Sequence, residues 1–189
     1  MTPSALPDTK PTDSAPRIAP WRFLVLAAVA IAAAIAVLMQ GRIPQAAGYH
    51  LFADARTLCG LPNFWNVVSN LGFVLAGAYG LFEYARSGRA IDSALKPAYL
   101  TAFVGAVLIG AGSAWYHLAP DTPRLTWDRL PITITFMAIF CVVIGEFIDA
   151  RWGRHLFAPL LLAGAGSVGY WHLTELTGRG DLRWYALVQ

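Results

Sequence analysis

Residues 99–118 read YLTAFVGAVLIGAGSAWYHL, a run with no formal charge unless His117 is protonated. An α-helix needs about 20 predominantly apolar residues to cross roughly 30 Å of hydrocarbon. The run is therefore predicted to be a transmembrane helix. Its last turns carry Ser113 and His117, four residues apart, and that spacing places both side chains on one face of the helix.

Similar apolar runs recur along the chain. The 189 residues are 57% hydrophobic and 13% charged, which is far more apolar than an ordinary soluble domain. The apolar residues come in long blocks, not in the alternating segments of about ten residues that membrane β-barrels show. The sequence predicts an all-α, polytopic membrane helix bundle with five spans, at about residues 21–39, 64–84, 98–118, 129–148 and 155–174.

The two ends of the chain differ from this core. Residues 1–20 are rich in Pro, Ser, Thr and Asp and are predicted to be a disordered tail before a transmembrane helical domain at 21–189. The run at 21–39 is interpreted as an uncleaved anchor because it is long for a signal peptide, which is the alternative. Residues 183–189 begin a sixth apolar helix, so we expect a longer parent chain.

The charge distribution sets expectations for partners and orientation. The net charge of +3 is spread over the ends of the spans, which indicates contact with the lipid bilayer and gives no indication of nucleic-acid binding. Lys and Arg are slightly more abundant on the flanks that share a side with the N-terminus. That bias predicts a cytoplasmic N-terminus, in what we expect to be a bacterial inner membrane. Cys59 and Cys141 form no disulfide framework.

Three polar residues converge on one predicted membrane face. Ser113 and His117 end one span, and Asp128 is expected at the mouth of the next, on the periplasmic side. Ionisable groups at membrane depth are costly and are functional hypotheses by default. The alternatives are an interfacial histidine in an aromatic belt and a helix-capping role for Asp128 before Pro131. Convergence of all three favours a functional site.

The surrounding motifs resemble those of the alkaline ceramidases. Residues 64–70 read FWNVVSN, which is similar to the F-W-N-x-x-S-N opening of that family's first core helix. Ser113 and His117 match its S-x-x-x-H motif, and residues 128–131, DRLP, match its D-x-L-P motif. The likeness runs from about Tyr49 to the end of the chain. It implies a seven-helix core, preceded here by one extra N-terminal span in the full-length form.

The resemblance implies a zinc-dependent amidohydrolase that cleaves the linear amide of ceramide or a related N-acyl lipid. His117 would be a zinc ligand, Asp128 would act as base or orient the attacking water, and Ser113 would hydrogen-bond that water or the oxyanion. A catalytic zinc usually has three protein ligands and a water. In the family the other two ligands come from an H-x-x-x-H motif, which this chain lacks, since Leu176 follows His172 at that spacing.

The resemblance also raises calcium as a second cofactor. Eukaryotic members bind it through an acidic segment that ends in a glutamate just before the F-W-N helix. Asn63 occupies that position here, and Asp54 precedes it. Calcium takes six to eight oxygen ligands, usually including several carboxylates. The alternative for Asp54 is a turn, a cap or an ion pair with Arg56.

Two other functions stay open at this point. A non-enzymatic lipid-binding or receptor-like bundle, or an inactive fragment, is the main alternative to the hydrolase. A transporter is not supported, because the chain shows no repeat of broken helices. His172 with Glu175 is interpreted as an interfacial pair. The acyl length and head group of the lipid substrate and the oligomeric state are not specified by the sequence.

Overall fold

The computed structural model describes residues 21–189, so the predicted disordered tail at 1–20 lies outside the described residues. The regular elements of this range are helices, and five stretches of them are long and apolar enough to cross a membrane. This confirms the all-α class and the five candidate spans. The helices are α1 (Trp21–Met39), α2 (Phe64–Val68), α3 (Leu71–Ser87), α4 (Lys96–Leu118), α5 (Thr122–Phe147), α6 (Ala150–Leu176) and α7 (Arg183–Val188).

The second span is divided between α2 and α3. Asn70 connects the two helices across the break, because its side-chain amide donates to the carbonyl of Asn66 at 2.6 Å. The polar residues of the FWNVVSN segment thus lie at a local break in a candidate membrane span. Short 3₁₀ turns lie at Ala47–His50 and Gly88–Ala90.

Helices α3, α4, α5 and α6 pack in sequence order, each against the next. Short connections make consecutive helices antiparallel neighbours. Helix α7 packs on α6 and α5, and α2 packs on α4. Helix α1 lies at the periphery, where it contacts α7 and buries none of its residues.

Glycines allow the close approach of these helices. A Cβ added at Gly105 would overlap the Thr135 hydroxyl of α5, and one at Gly112 would overlap the carbonyl oxygen of Trp127. A Cβ at Gly77 of α3 would lie 2.7 Å from the Phe103 carbonyl oxygen of α4. Small residues let helix backbones approach in lipid, where no hydrophobic effect drives the helices together.

The start of α5 differs from the sequence prediction. The helix begins at Thr122, not at 129, because Asp121 caps it by accepting a bond from the Arg124 N–H at 2.7 Å. Pro123 fits the first turn, where a backbone N–H is not needed. Asp128 therefore lies well inside the helix. Its expected position at the helix mouth, and the alternative of a capping role, are both wrong.

Helix α6 also begins earlier than predicted, at Ala150, with Asp149 as its cap. The main buried apolar cluster lies where α4, α5 and α6 meet and consists of Tyr116, Leu125, Val168 and Trp171. Phe52 of the long connection after α1 and Tyr185 of α7 pack against it. The connection and α7 thus cover this end of the bundle.

Candidate active site

Ser113, His117 and Asp128 come together at the covered end of the bundle. Ser113 and Asp128 are each 8% exposed. The Ser113 hydroxyl faces the Asp128 carboxylate, and His117 lies close enough to interact with it electrostatically. Gly112 makes this close approach possible, since an added Cβ there would overlap the carbonyl oxygen of Trp127, the residue before Asp128.

Two buried atoms of this group are without a protein partner. His117 Nδ1 and Asp128 Oδ1 form no hydrogen bond within residues 21–189. Most buried polar atoms have a partner, and an exception calls for an explanation such as a water, an ion or a catalytic role. The two atoms belong to the residues that the ceramidase resemblance assigns to zinc and to water activation. Both are therefore available for a ligand.

The connection after α1 forms a cover over the site. The Phe52 ring lies 4.6 Å from the His117 ring and 5.7 Å from the Tyr116 ring. His50 bridges two helices, with Nδ1 at 2.9 Å from the Tyr116 hydroxyl and Nε2 at 3.3 Å from the Thr122 hydroxyl. The sequence assigned His50 no role. Its bonds join residues far apart in the chain, so no local pattern could have revealed them.

Asn63 and Asp54 border the site from the outside. Asn63 adopts a left-handed conformation (φ 48°) before α2, and its amide donates to the His117 carbonyl at 2.8 Å. Asn66 donates to the Asp54 carbonyl, also at 2.8 Å. The Arg56 guanidinium pairs with Asp54 and holds the pKa of that carboxyl below its usual value. This pairing was the alternative to a calcium role.

The described residues give limited support for metal binding. No group of three His, Cys, Asp or Glu side chains within residues 21–189 is placed to hold a metal ion. His117 fits as one zinc ligand because its buried nitrogen is unpartnered. His172 bonds instead to the Thr126 hydroxyl at 2.9 Å. Calcium does not fit these residues, since Asp54 is the single carboxylate of the connection and is paired with Arg56.

A buried arginine beside Asp128 was not identified from the sequence. Arg129 is 3% exposed, and its guanidinium lies 4.2 Å from the Trp171 ring, 4.6 Å from the Tyr185 ring and 5.2 Å from the Tyr49 ring. Aromatic faces attract a cation, most strongly when it is desolvated. In sequence, Arg129 resembles any basic residue at the end of a span. The three rings come from separate parts of the chain, so only the fold brings them together.

An apolar groove of about 670 Å³ runs between α4 and α5, from Leu100 and Ile134 to Trp115 and Trp127. Gly112 lines it, but none of the three site residues does. Ser113 follows Gly112 and points about 100° further around the helix.

The fold and the site define a helical protein with five helices long and apolar enough to cross a membrane, and with Ser113, His117 and Asp128 grouped at one end of its bundle. Comparison with known protein families identifies the family to which this protein belongs. A family model described as Ceramidase matches residues 61–178, more than half of the chain, and this protein belongs to that family. The match includes Ser113, His117 and Asp128 but begins after Asp54. No curated protein matches the chain, and no solved structure does either.

Proposed function

We propose that this protein is an integral membrane, zinc-dependent hydrolase that cleaves the amide bond of ceramide or a related N-acyl lipid. The observation that supports this most directly is the convergence of Ser113, His117 and Asp128 within the region that matches the ceramidase family. The unpartnered nitrogen of His117 and oxygen of Asp128 point to the same chemistry.

Each residue has a role that its position supports. His117 would contribute one ligand to a zinc ion, which when bound supplies a water of lowered pKa and polarises the substrate carbonyl. Asp128 would accept a proton from the attacking water and deliver it to the leaving amine. Ser113, which faces Asp128, would orient that carboxylate or donate to the oxygen that becomes negative in the transition state. Phe52 and the buried end of the bundle would limit the access of bulk water.

The proposed setting follows from the charges and from the lipid substrate. The Lys and Arg bias supports a cytoplasmic N-terminus and a site on the periplasmic side of a bacterial inner membrane. A substrate with long acyl chains would reach the site from the bilayer.

The proposal is tested on the protein expressed from its own coding sequence and purified in detergent. Release of fatty acid from a panel of N-acyl sphingoid lipids would be measured for the wild type and for Ser113→Ala, His117→Ala and Asp128→Asn. Loss of a general acid–base group typically lowers the rate by about 10²–10⁴-fold. We expect losses of this size for Asp128→Asn and His117→Ala, and loss of bound zinc for His117→Ala.

Matched control variants separate chemistry from folding. Ser167→Ala removes a buried serine on α6 that bonds to the Gly164 carbonyl at 2.7 Å, and His155→Ala removes an exposed histidine near the start of that helix. Both should retain wild-type turnover. Unchanged turnover in Asp128→Asn or His117→Ala would contradict the assigned roles.

The alternative is a non-enzymatic lipid-binding bundle. It is favoured by the hydrogen bonds of His50 and His172, which leave His117 as the one histidine within residues 21–189 with a buried, unpartnered ring nitrogen. The same experiment distinguishes the two functions. Saturable binding of N-acyl lipids without fatty-acid release, in a preparation supplied with zinc, would favour the alternative.

A further inference from the structure

A second, polar pocket lies away from the candidate active site. It has a volume of about 230 Å³ and is lined by Arg42, Tyr170, Thr174, Thr177 and Arg179. The three hydroxyl residues follow one face of the last turns of α6, at helical spacing. Arg42 comes from the segment after α1, and Arg179 from the turn after α6. Two guanidinium groups and three hydroxyls therefore line one small cavity.

The pocket carries an unbalanced positive charge. Within the described part of the chain, neither Arg42 nor Arg179 forms an ion pair. The nearby carboxylate of Asp181 is already paired with Arg183 at 2.7 Å and accepts a bond from the Tyr170 hydroxyl at 3.2 Å. Two like charges around one cavity repel each other, and a shared anion would relieve that repulsion.

A second carboxylate near the end of α6 is also occupied. Glu175 accepts bonds from the Gln45 backbone N–H at 3.1 Å and from the Trp171 indole at 3.2 Å. Within the described residues, Glu175 forms no ion pair with Arg42 or Arg179. The last carbonyls of α6 are also capped, since the Gly178 and Arg179 N–H groups bond to the Glu175 and Thr174 carbonyls at 3.0 and 2.9 Å. The guanidinium groups thus dominate the charge of the cavity.

The backbone around the pocket is held in place. The Leu182 N–H bonds to the Ile43 carbonyl at 2.8 Å, and Arg183 donates to the Gln40 carbonyl at 3.0 Å. These bonds tie the segment that carries Arg42 to the turn that carries Arg179. The pocket is therefore formed by a defined contact between two distant parts of the chain.

We infer that this pocket binds a phosphate group, with Arg42 and Arg179 as its charged contacts. Arginine presents a planar set of donors that matches phosphate oxygens. The hydroxyls of Tyr170, Thr174 and Thr177 already donate to Asp181, the Trp171 carbonyl and the Thr174 carbonyl, so the two guanidinium groups would supply the donors to the anion. The pocket lies at the end of a candidate span, where lipid head groups lie, and an anionic phospholipid is the source that this position favours. The inference does not depend on the hydrolase proposal.

The test uses the purified 189-residue chain in detergent. Native mass spectrometry would measure retention of phosphatidylglycerol by the wild type and by the double variant Arg42→Gln/Arg179→Gln. Diacylglycerol, which lacks the phosphate, is the lipid control. The protein control is Arg89→Gln/Arg154→Gln, which removes the same charge from exposed arginines at the opposite ends of the spans. We expect the wild type and the control variant to retain phosphatidylglycerol and the pocket variant to bind it at least ten-fold more weakly.

Equal retention by the pocket variant and the wild type, or an equal loss in the control variant, would overturn the inference. Retention of diacylglycerol at the level of phosphatidylglycerol would also overturn it. The single variants Arg42→Gln and Arg179→Gln, checked by circular dichroism, keep the test valid if the double variant misfolds, and each should weaken binding. Inorganic phosphate added as a competitor distinguishes the two sources of the phosphate group. If phosphate displaces the lipid, the pocket binds phosphate in general. If phosphate does not displace the lipid, binding also needs the lipid chains.

Discussion

The contact of α4 with α5 at Gly112 allows a quantitative prediction. A Cβ at this position would overlap the carbonyl oxygen of Trp127, which is backbone and cannot rotate away. To restore an ordinary contact of about 3.5 Å, the two helices would have to separate by roughly 1 Å. Inserting a group into a well-packed interface costs about 1–3 kcal/mol. We therefore expect Gly112→Ala to lower the melting temperature by roughly 2–12 °C, the range for a chain of this size.

Two other glycines complete a graded series. Gly105→Ala meets mainly the Thr135 side chain, which can change rotamer, so its cost should be smaller than that of Gly112→Ala. Gly166→Ala has nothing within 4 Å of the added Cβ. Because glycine is unfavourable within a helix by about 0.5–1 kcal/mol relative to alanine, Gly166→Ala should leave the protein equally or slightly more stable.

The assay is thermal unfolding in detergent, followed by tryptophan fluorescence, with lipid-amide hydrolysis measured in parallel. Gly112→Ala moves Asp128 relative to Ser113, so it should also reduce turnover, whereas Gly166→Ala should not. If Gly112→Ala melts at the same temperature as Gly166→Ala, the close approach of α4 and α5 is not as described. If it melts lower but retains full turnover, the α4–α5 spacing does not control the site.

Three further predictions concern contacts around the site. His50→Ala removes the bonds to Tyr116 and Thr122 and should increase hydrogen exchange and proteolysis in residues 41–63; unchanged protection would contradict the covering role. The Arg183 guanidinium lowers the pKa of Asp181 to about 2, so their pairing stabilises the fold above the ordinary value near 4 and is lost as pH falls through about 2. Between pH 4 and pH 2, the melting temperature of the wild type should therefore fall by more than that of Asp181→Asn, and parallel pH profiles would refute this. Arg129→Ala removes a cation in contact with three aromatic rings, an interaction worth about 2 kcal/mol when desolvated. The variant should therefore have a lower melting temperature than the wild type. An unchanged melting temperature would count against the aromatic contacts.

The length of the apolar runs made the helices predictable, because the cost of exposing backbone to lipid forces each run into a helix. Once the run was predicted to be a helix, the four-residue spacing of Ser113 and His117 predicted that they share one face. The start of α5 was not predictable in this way. Residues 122–129 include polar side chains that resemble a connection, and the burial of Asp128 and Arg129 among them depends on contacts between distant parts of the chain.

The residues that sequence reasoning missed share one property. His50 and Arg129 act through partners in other helices or in the connection, including Tyr116 and Trp171. Neither has a spacing or a motif that distinguishes it from an interfacial histidine or a flanking arginine. By contrast, Asp54 formed the ion pair with Arg56 that two nearby opposite charges suggest. Local patterns thus predicted local contacts, and tertiary contacts required the fold.

The final prediction concerns zinc binding by the 189-residue chain. A catalytic zinc site needs about three protein ligands, and this sequence contains four histidines, each within the described residues. His50 is bonded to Tyr116 and Thr122, His172 is bonded to Thr126, and His155 is exposed at the start of α6. His117 is then the one histidine within residues 21–189 with a buried, unpartnered ring nitrogen for the metal. We expect the purified chain to lose zinc on dialysis and to turn over N-acyl sphingoid lipids only when zinc is supplied in the assay. Stoichiometric zinc that survives dialysis and is lost in His117→Ala would show that other side chains complete the site, and the three-ligand argument for this chain would be wrong.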